Sequence, residues 1–303
     1  PATSGCLSNA ESGGMGEGWS DLLALALLAK PSDTRLTPRS IGTWMSGHSS
    51  EGVGIRSYRY STDTSVNPRT YASLNSMSAG YPHDIGEVWA SIMWEVYWDL
   101  VDAYGFDPDK VHGTGGNNLF LQLMIDGMKL QKCNPSFVDA RDAILLADQV
   151  NNAGANQCLL WVAFARRGLG ASATDVNSLV INDSVEAFDL PPTCTVNIEE
   201  PKFDVCVATS PQLTANIQLA SMLSYPTTLS ASGVPGAVAT FTPNPVVAPG
   251  TSTLALNLSP STPPDTYTLT VEETSGTSDT ALVYLANQVP GTVTLTAPAD
   301  QAT

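Results

Sequence analysis

The chain has 303 residues, 43% of them apolar and only 14% charged, against roughly 25% charged in an average soluble domain. Thirteen Lys and Arg against 29 Asp and Glu leave a net charge of −16, a balance that repels nucleic acid and anionic membranes. Its longest apolar stretches, such as residues 22–29, fall far short of the roughly 20 residues that span a bilayer.

Residues 1–14 are small and polar, with no initiator Met and no signal-peptide pattern, so the chain reads as an excised or processed piece. A Leu/Ala run over 15–29 then predicts the first helix, entered through the Gly-rich segment Glu11-Ser-Gly-Gly-Met-Gly-Glu17-Gly-Trp-Ser-Asp21. Residues 42–81 are rich in Gly, Ser and Tyr without helical period, and predict an irregular loop with short extended pieces. Over 85–104 the apolar residues recur at i, i+3 and i+4, and Gly105 and Pro108 close the helix. Residues 118–132, 136–151 and 157–167 continue in the same manner. Near Pro191-Pro192 the composition breaks: all six Trp and all three His lie before it, and no Lys, Arg, His or Trp follows Lys202. Beyond the break, Leu254, Leu256 and Leu258 alternate with polar residues, as do Tyr267, Leu269 and Val271, with Pro-rich turns between. That pattern predicts an all-β sandwich. The expected division is therefore 1–190 helical, 191–287 β-sandwich with Tyr267 in its core, and 288–303 a linker and the first strand of a further β module.

Five cysteines without a C-x-x-C pair argue against a zinc ribbon and for a secreted protein with one or two structural disulfides. Spacing offers Cys194 with Cys206 and Cys133 with Cys158, although a helix of about 24 Å would separate the latter two. Cys6 is then left over.

On a helix, Glu17 and Asp21 share one face a turn apart, a spacing at which one carboxylate binds a metal and the other orients a neighbouring ligand. They can equally favour the dipole of a first helical turn. Four glycines at 13, 14, 16 and 18 each weaken a helix by roughly 1 kcal/mol relative to Ala, which implies close backbone approach to something. His83 opens a helix and is either catalytic or a cap. Glu87, one turn later, either orients that ring or decorates the helix surface. Arg56, in the irregular loop, reads as a surface ion-pairing residue. Trp89, Trp94 and Trp98 read as core, and His48 and His112 as solvated. Asp107 and Asp109, flanking Pro108, have the oxygen chemistry for Ca2+ but the sequence of a turn.

The segment from Glu11 to Asp21 resembles the third-ligand motif of the fungalysin metallopeptidases, relatives of thermolysin. The resemblance continues in Gly54-Ile-Arg56, Tyr60-Ser-Thr-Asp63, Asn67-Pro68 and Tyr71. It runs on through His83-Asp-Ile-Gly-Glu-Val-Trp-Ala, Trp94-Glu-Val-Tyr-Trp-Asp-Leu, Ala140-Arg-Asp-Ala-Ile and Phe164-Ala-Arg-Arg-Gly-Leu-Gly, covering about residues 1–190. It implies a mainly α-helical C-terminal lobe of a thermolysin-like catalytic domain, followed here by an Ig-like β domain of bacterial type. Glu17 would be the third zinc ligand of a His2Glu site like that of thermolysin. Asp21 would accept the ring N–H of a zinc histidine, His83 would donate to the oxyanion, and Arg56 would bind a substrate carbonyl. Ser8 stands where thermolysin-like enzymes carry an oxyanion tyrosine, and Tyr81 is the candidate substitute.

No His-x-x-x-His occurs among histidines 48, 83 and 112, so both histidine ligands and the general-base glutamate must come from an upstream lobe. The expectation is a fragment of a secreted, extracellular zinc endopeptidase acting on proteins and peptides, inert by itself. The alternative is a non-catalytic extracellular binding or adhesion protein on a decayed peptidase scaffold. For the β module a spacer role is favoured over polysaccharide or cell-surface binding, because its aromatics are few.

Overall fold

The computed structural model of the chain describes residues 5–194, 196–206, 211–219, 226–247, 250–274 and 277–286. The further module expected over 288–303 lies outside them. Two compact units are present, one running to residue 195 and the other built on Val196–Leu219 and the chain from Pro226.

The first unit is helical: α1 Ala10–Leu28, α2 Pro82–Tyr104, α3 Gly116–Leu130, α4 Phe137–Asn152 and α5 Gln157–Arg166, with a 3-10 turn at Tyr71–Ser76. Helix α2 is its axis. Pro82 occupies the first turn, where a missing N–H costs nothing, and Gly105 at φ +76° ends the helix. Between them, every residue from Ile85 to Val101 is buried, including Trp89, Trp94 and Trp98 as the period predicted. Helices α1, α3 and α5 pack around it. Helix α1 starts five residues before the predicted run, so the Gly-rich segment is itself helical. Its entry is fixed by Asn9, whose N–H donates to Ser12 Oγ at 3.1 Å. Helix α4 carries a reciprocal cap: Ser136 N–H donates to Asp139 Oδ2 at 2.8 Å and Asp139 N–H to Ser136 Oγ at 3.3 Å.

The loop between α1 and α2 is irregular, as predicted, with isolated bridges at Arg39–Tyr60 and Ile41–Gly54. It is nevertheless firmly held. Arg167, fully buried after α5, donates Nε to Glu95 Oε1 on α2 at 2.8 Å and Nη2 to the Ser61 carbonyl at 2.9 Å. A buried guanidinium between a carboxylate and main-chain carbonyls fixes the loop against two helices at once.

Two disulfides close the unit, and neither is one that spacing suggested. Cys6 bonds Cys133 and Cys158 bonds Cys194. Cys133 and Cys158 flank α4, whose length keeps them apart. Asn134 N–H donates to the Cys6 carbonyl at 2.8 Å, which sets Cys133 beside Cys6 instead. Cys194 ends a 3-10 turn, Pro192–Cys194, facing the first turn of α5, whereas Cys206 lies half-buried on a strand.

That strand belongs to the second unit, which holds β1 Val196–Ile198, β2 Lys202–Cys206, β3 Gln212–Leu219, β4 Pro226–Thr227 and β5 Leu229–Ser232. After them come β6 Val238–Thr242, β7 Val246–Val247, β8 Gly250–Asn257, β9 Thr266–Glu273 and β10 Ser278–Ala286. They form two four-stranded sheets, β1-β3-β8-β6 and β2-β10-β9-β5, and a β4-β7 pair. All ladders are antiparallel except β2 with β10. Each sheet buries one face, with Leu213, Ile217, Leu254 and Leu256 in the first and Leu269, Val271, Val283 and Leu285 in the second. Tyr267 departs from the expected core: it is half-buried, and its hydroxyl donates to the Pro263 carbonyl at 3.0 Å.

Candidate active site

The site is built where α1 and α2 touch. A side chain on Gly18 would meet the Gly86 carbonyl at 2.5 Å, and one on Gly86 would meet the Gly14 carbonyl at 2.6 Å and Glu17 Cβ at 2.8 Å. The two backbones are therefore in contact, which only glycine permits. Of the four glycines in the motif, Gly14 and Gly18 face α2. Gly13 and Gly16 have only Leu7 near them, at 3.5 Å or more.

Because the helices meet there, one turn of each brings its polar residues together. Glu17 Oε2 lies 2.9 Å from His83 Nδ1, with 38% and 63% of the two side chains exposed. One turn further, Asp21 is buried. Its Oδ2 accepts from Arg56 Nε at 2.6 Å and from the Tyr60 hydroxyl at 2.6 Å, and its Oδ1 accepts from Arg56 Nη2 at 2.9 Å. Arg56 Nη2 also lies 3.9 Å from Glu17 Oε2. Burial works against the Arg56 charge, but the hydrogen bonds and charge of Asp21 outweigh it and hold the guanidinium above its ordinary value. Tyr60, fully buried, is raised by burial first and then by Asp21, so it stays a neutral donor. A carboxylate has about four acceptor directions, and Asp21 has three filled, which leaves one on Oδ1.

Glu17, Asp21, Arg56 and His83 are thus assembled in one place. Tyr81 sits at the N-cap of α2, two residues before His83, with its side chain exposed. Glu87 does neither thing expected of it. It is wholly buried, and Oε1 accepts the Tyr58 N–H at 2.7 Å while Oε2 pairs with Arg69 Nη2 at 3.4 Å. Burial raises its carboxyl, opposed by Arg69 and by main-chain donors at Tyr58 and Ser57. Tyr60 and Glu87 both lie inside the matching motifs, yet spacing alone gave no sign that they brace the Arg56 loop.

The remaining candidates lie elsewhere. His48 and His112 are exposed, as expected, with His112 Nδ1 3.6 Å from Asp109. Asp107 and Asp109 form the turn. Asp107 accepts the Asp109 and Thr114 N–H groups at 2.9 and 3.1 Å, and Asp109 accepts those of Val111 and His112 at 3.0 and 2.9 Å. Among the described residues no group of three or more His, Cys, Asp or Glu is arranged to hold a metal ion. No helix among them is long and apolar enough to cross a membrane.

Three curated relatives are typical of the matches. An extracellular metalloproteinase of Aspergillus fumigatus is 52% identical over 179 residues, 57% of this chain and 27% of its own length. One from Pyrenophora tritici-repentis is 49% identical over 180 residues, with the same two shares. Another, from Pyricularia oryzae, is 50% identical over 181 residues, 57% of this chain and 28% of its own. The chain spans about a quarter of the length of these relatives. Among solved structures, S-layer protein SbsC domains 4 and 5 give a TM-score of 0.25 at 11% identity, covering 34% of this chain and 56% of that one. That likeness is too slight to assign a fold. The pattern of one family runs through residues 1–173, more than half of the chain, and on that ground the chain belongs to the fungalysin metallopeptidase (M36) family.

Proposed function

We propose that this chain carries the glutamate-ligand half of the active site of a secreted zinc endopeptidase. Residues 1–190 are then the C-terminal helical lobe of its catalytic domain, and 191–287 an Ig-like spacer. The observation that carries the reading is the Glu17–His83–Arg56–Asp21 cluster at the glycine contact of two helices, inside the matched region. Of its three carboxylates, with Glu87 counted, Asp21 and Glu87 are buried, the first held by Arg56 and the Tyr60 hydroxyl and the second by Arg69 and the Tyr58 N–H, while Glu17 is open to solvent. The residues present therefore fit one corner of a zinc site. A catalytic zinc takes three protein ligands, so two histidines come from polypeptide outside this chain.

When bound, zinc would polarise the scissile carbonyl and acidify a water. Glu17 contributes a negative ligand whose direction is fixed by the glycine contact. His83, exposed at the head of α2, donates to the oxygen on which charge develops. Arg56 presents N–H groups not used by Asp21 to a substrate carbonyl, and Asp21 with Tyr60 keeps that guanidinium charged and in place. In this reading Tyr81, exposed two residues before His83, is a second donor.

The test is hydrolysis of casein by the full-length enzyme and by this 303-residue chain. Expected is chelator-sensitive activity in the former and none in the latter. Chelator-sensitive activity in the chain alone would overturn the reading.

A further inference from the structure

Arg56 is held at its side chain by Asp21 on α1. The main chain immediately after it is held by a different helix. Glu87 on α2 accepts the Tyr58 N–H at 2.7 Å and pairs with Arg69, whose guanidinium lies 5.0 Å from the centre of the Tyr58 ring. Two residues on, the Tyr60 hydroxyl returns to Asp21 at 2.6 Å. The segment 56–60 is thus pinned at alternate residues: the first and last to a carboxylate of α1, the middle one to a carboxylate of α2. His83 and Glu87 are one turn apart on α2, so the same helix that presents His83 also sets the loop that presents Arg56.

We infer that Glu87 is a positioning residue, which fixes the main chain at Tyr58 so that Arg56 and His83 keep a constant spacing. The inference rests on the peptidase reading above. A wholly buried carboxylate is costly unless its acceptors are filled. Here they are filled by one loop N–H and one arginine of that same loop, so the cost of burial goes into holding the loop.

Two substitutions of similar size separate this from general packing. Glu87→Gln and Glu87→Met both abolish the charge facing Arg69, but only Gln keeps an acceptor for the Tyr58 N–H. In the full-length enzyme, kcat/KM on a defined peptide should fall less than about threefold in Glu87→Gln and about 30-fold in Glu87→Met. In an Arg56→Ala background the Gln and Met variants should become equal, because coupled residues lose together. A Gln-to-Met difference of the same size in both backgrounds would overturn the inference. A second readout needs no catalysis. In the 303-residue chain, exchange of the Arg56 Nε–H should stay slow in Glu87→Gln and speed up by about tenfold in Glu87→Met, as local opening becomes easier. Equal rates would overturn the inference even if the full-length protein proved inactive, a result that would refute the peptidase reading instead. Should Glu87→Met not fold, the wild-type Tyr58 amide decides. Protection equal to that of the α2 amides supports the brace, and exchange at the rate of an open loop contradicts it.

Discussion

Glu11 shows how much a single side chain can hide. It is buried in the first turn of α1, where Oε1 accepts the Phe137 N–H at 2.9 Å and Oε2 has no hydrogen-bond partner among the described residues. Burial pushes its carboxyl up to about 9 from an ordinary 4.5; the Phe137 N–H opposes this, and Asp175 and Asp183 add to it. The unfolded chain ionises this group near pH 4.5, while the folded chain keeps its proton until about pH 9. Stability from this residue is therefore complete below pH 4.5 and is lost as pH rises through that window, by at most about 1.4 kcal/mol per pH unit. Glu11→Gln keeps the acceptor for Phe137 and cannot ionise. Its urea midpoint should exceed the wild-type value at pH 8 and approach it near pH 4; a pH-independent difference would show that folding does not shift the Glu11 carboxyl. Glu11 opens the motif, but nothing in the sequence marks its burial, because its environment comes from residues 137, 175 and 183. Glu17 and His83 were singled out through the motif, and the structure brings them within 2.9 Å of each other. The function of Glu87 was not, because i, i+4 spacing fixes a helix face without saying what that face meets.

At the scale of elements, the glycines separate into two kinds that the sequence does not distinguish. A Cβ at Gly18 would collide with the backbone of α2, whereas one at Gly13 would have its nearest neighbour, the Leu7 carbonyl, at 3.6 Å. Gly13→Ala should therefore raise stability by about 0.5–1 kcal/mol through helix propensity. Gly18→Ala should lower it by about 2–3 kcal/mol, since the helices must part. Thermal melts of the two variants should move in opposite directions; equal shifts would mean that α1 and α2 are not in backbone contact. The same contact explains why the first helix starts earlier than its apolar run. Gly-rich sequence depresses intrinsic propensity, and packing on α2 restores what propensity withholds. Helices α2 to α5 were legible because their apolar periods are strong, and α2 to α4 also carry a Pro, Gly or Ser at an end.

At the scale of the whole molecule, the change in composition near residue 191 and the change from helices to sheets near residue 195 coincide closely. The disulfides did not follow from spacing, since which Cα atoms meet is decided by how α1, α4 and α5 pack. Cys6–Cys133 spans 127 residues and Cys158–Cys194 spans 36. On loop entropy, replacing the first pair by Ser should cost about 4–5 kcal/mol and the second about 3–4 kcal/mol. Non-reducing peptide mapping should recover these two linkages, and a Cys133–Cys158 peptide would refute the packing of α4. The central claim concerns Glu17, and zinc content tests it most directly. After dialysis against a weak chelator, the full-length enzyme should retain one zinc per molecule and its Glu17→Ala variant should lose it. A Glu17→Ala protein that kept its full complement of zinc would contradict the assignment of Glu17 as a ligand.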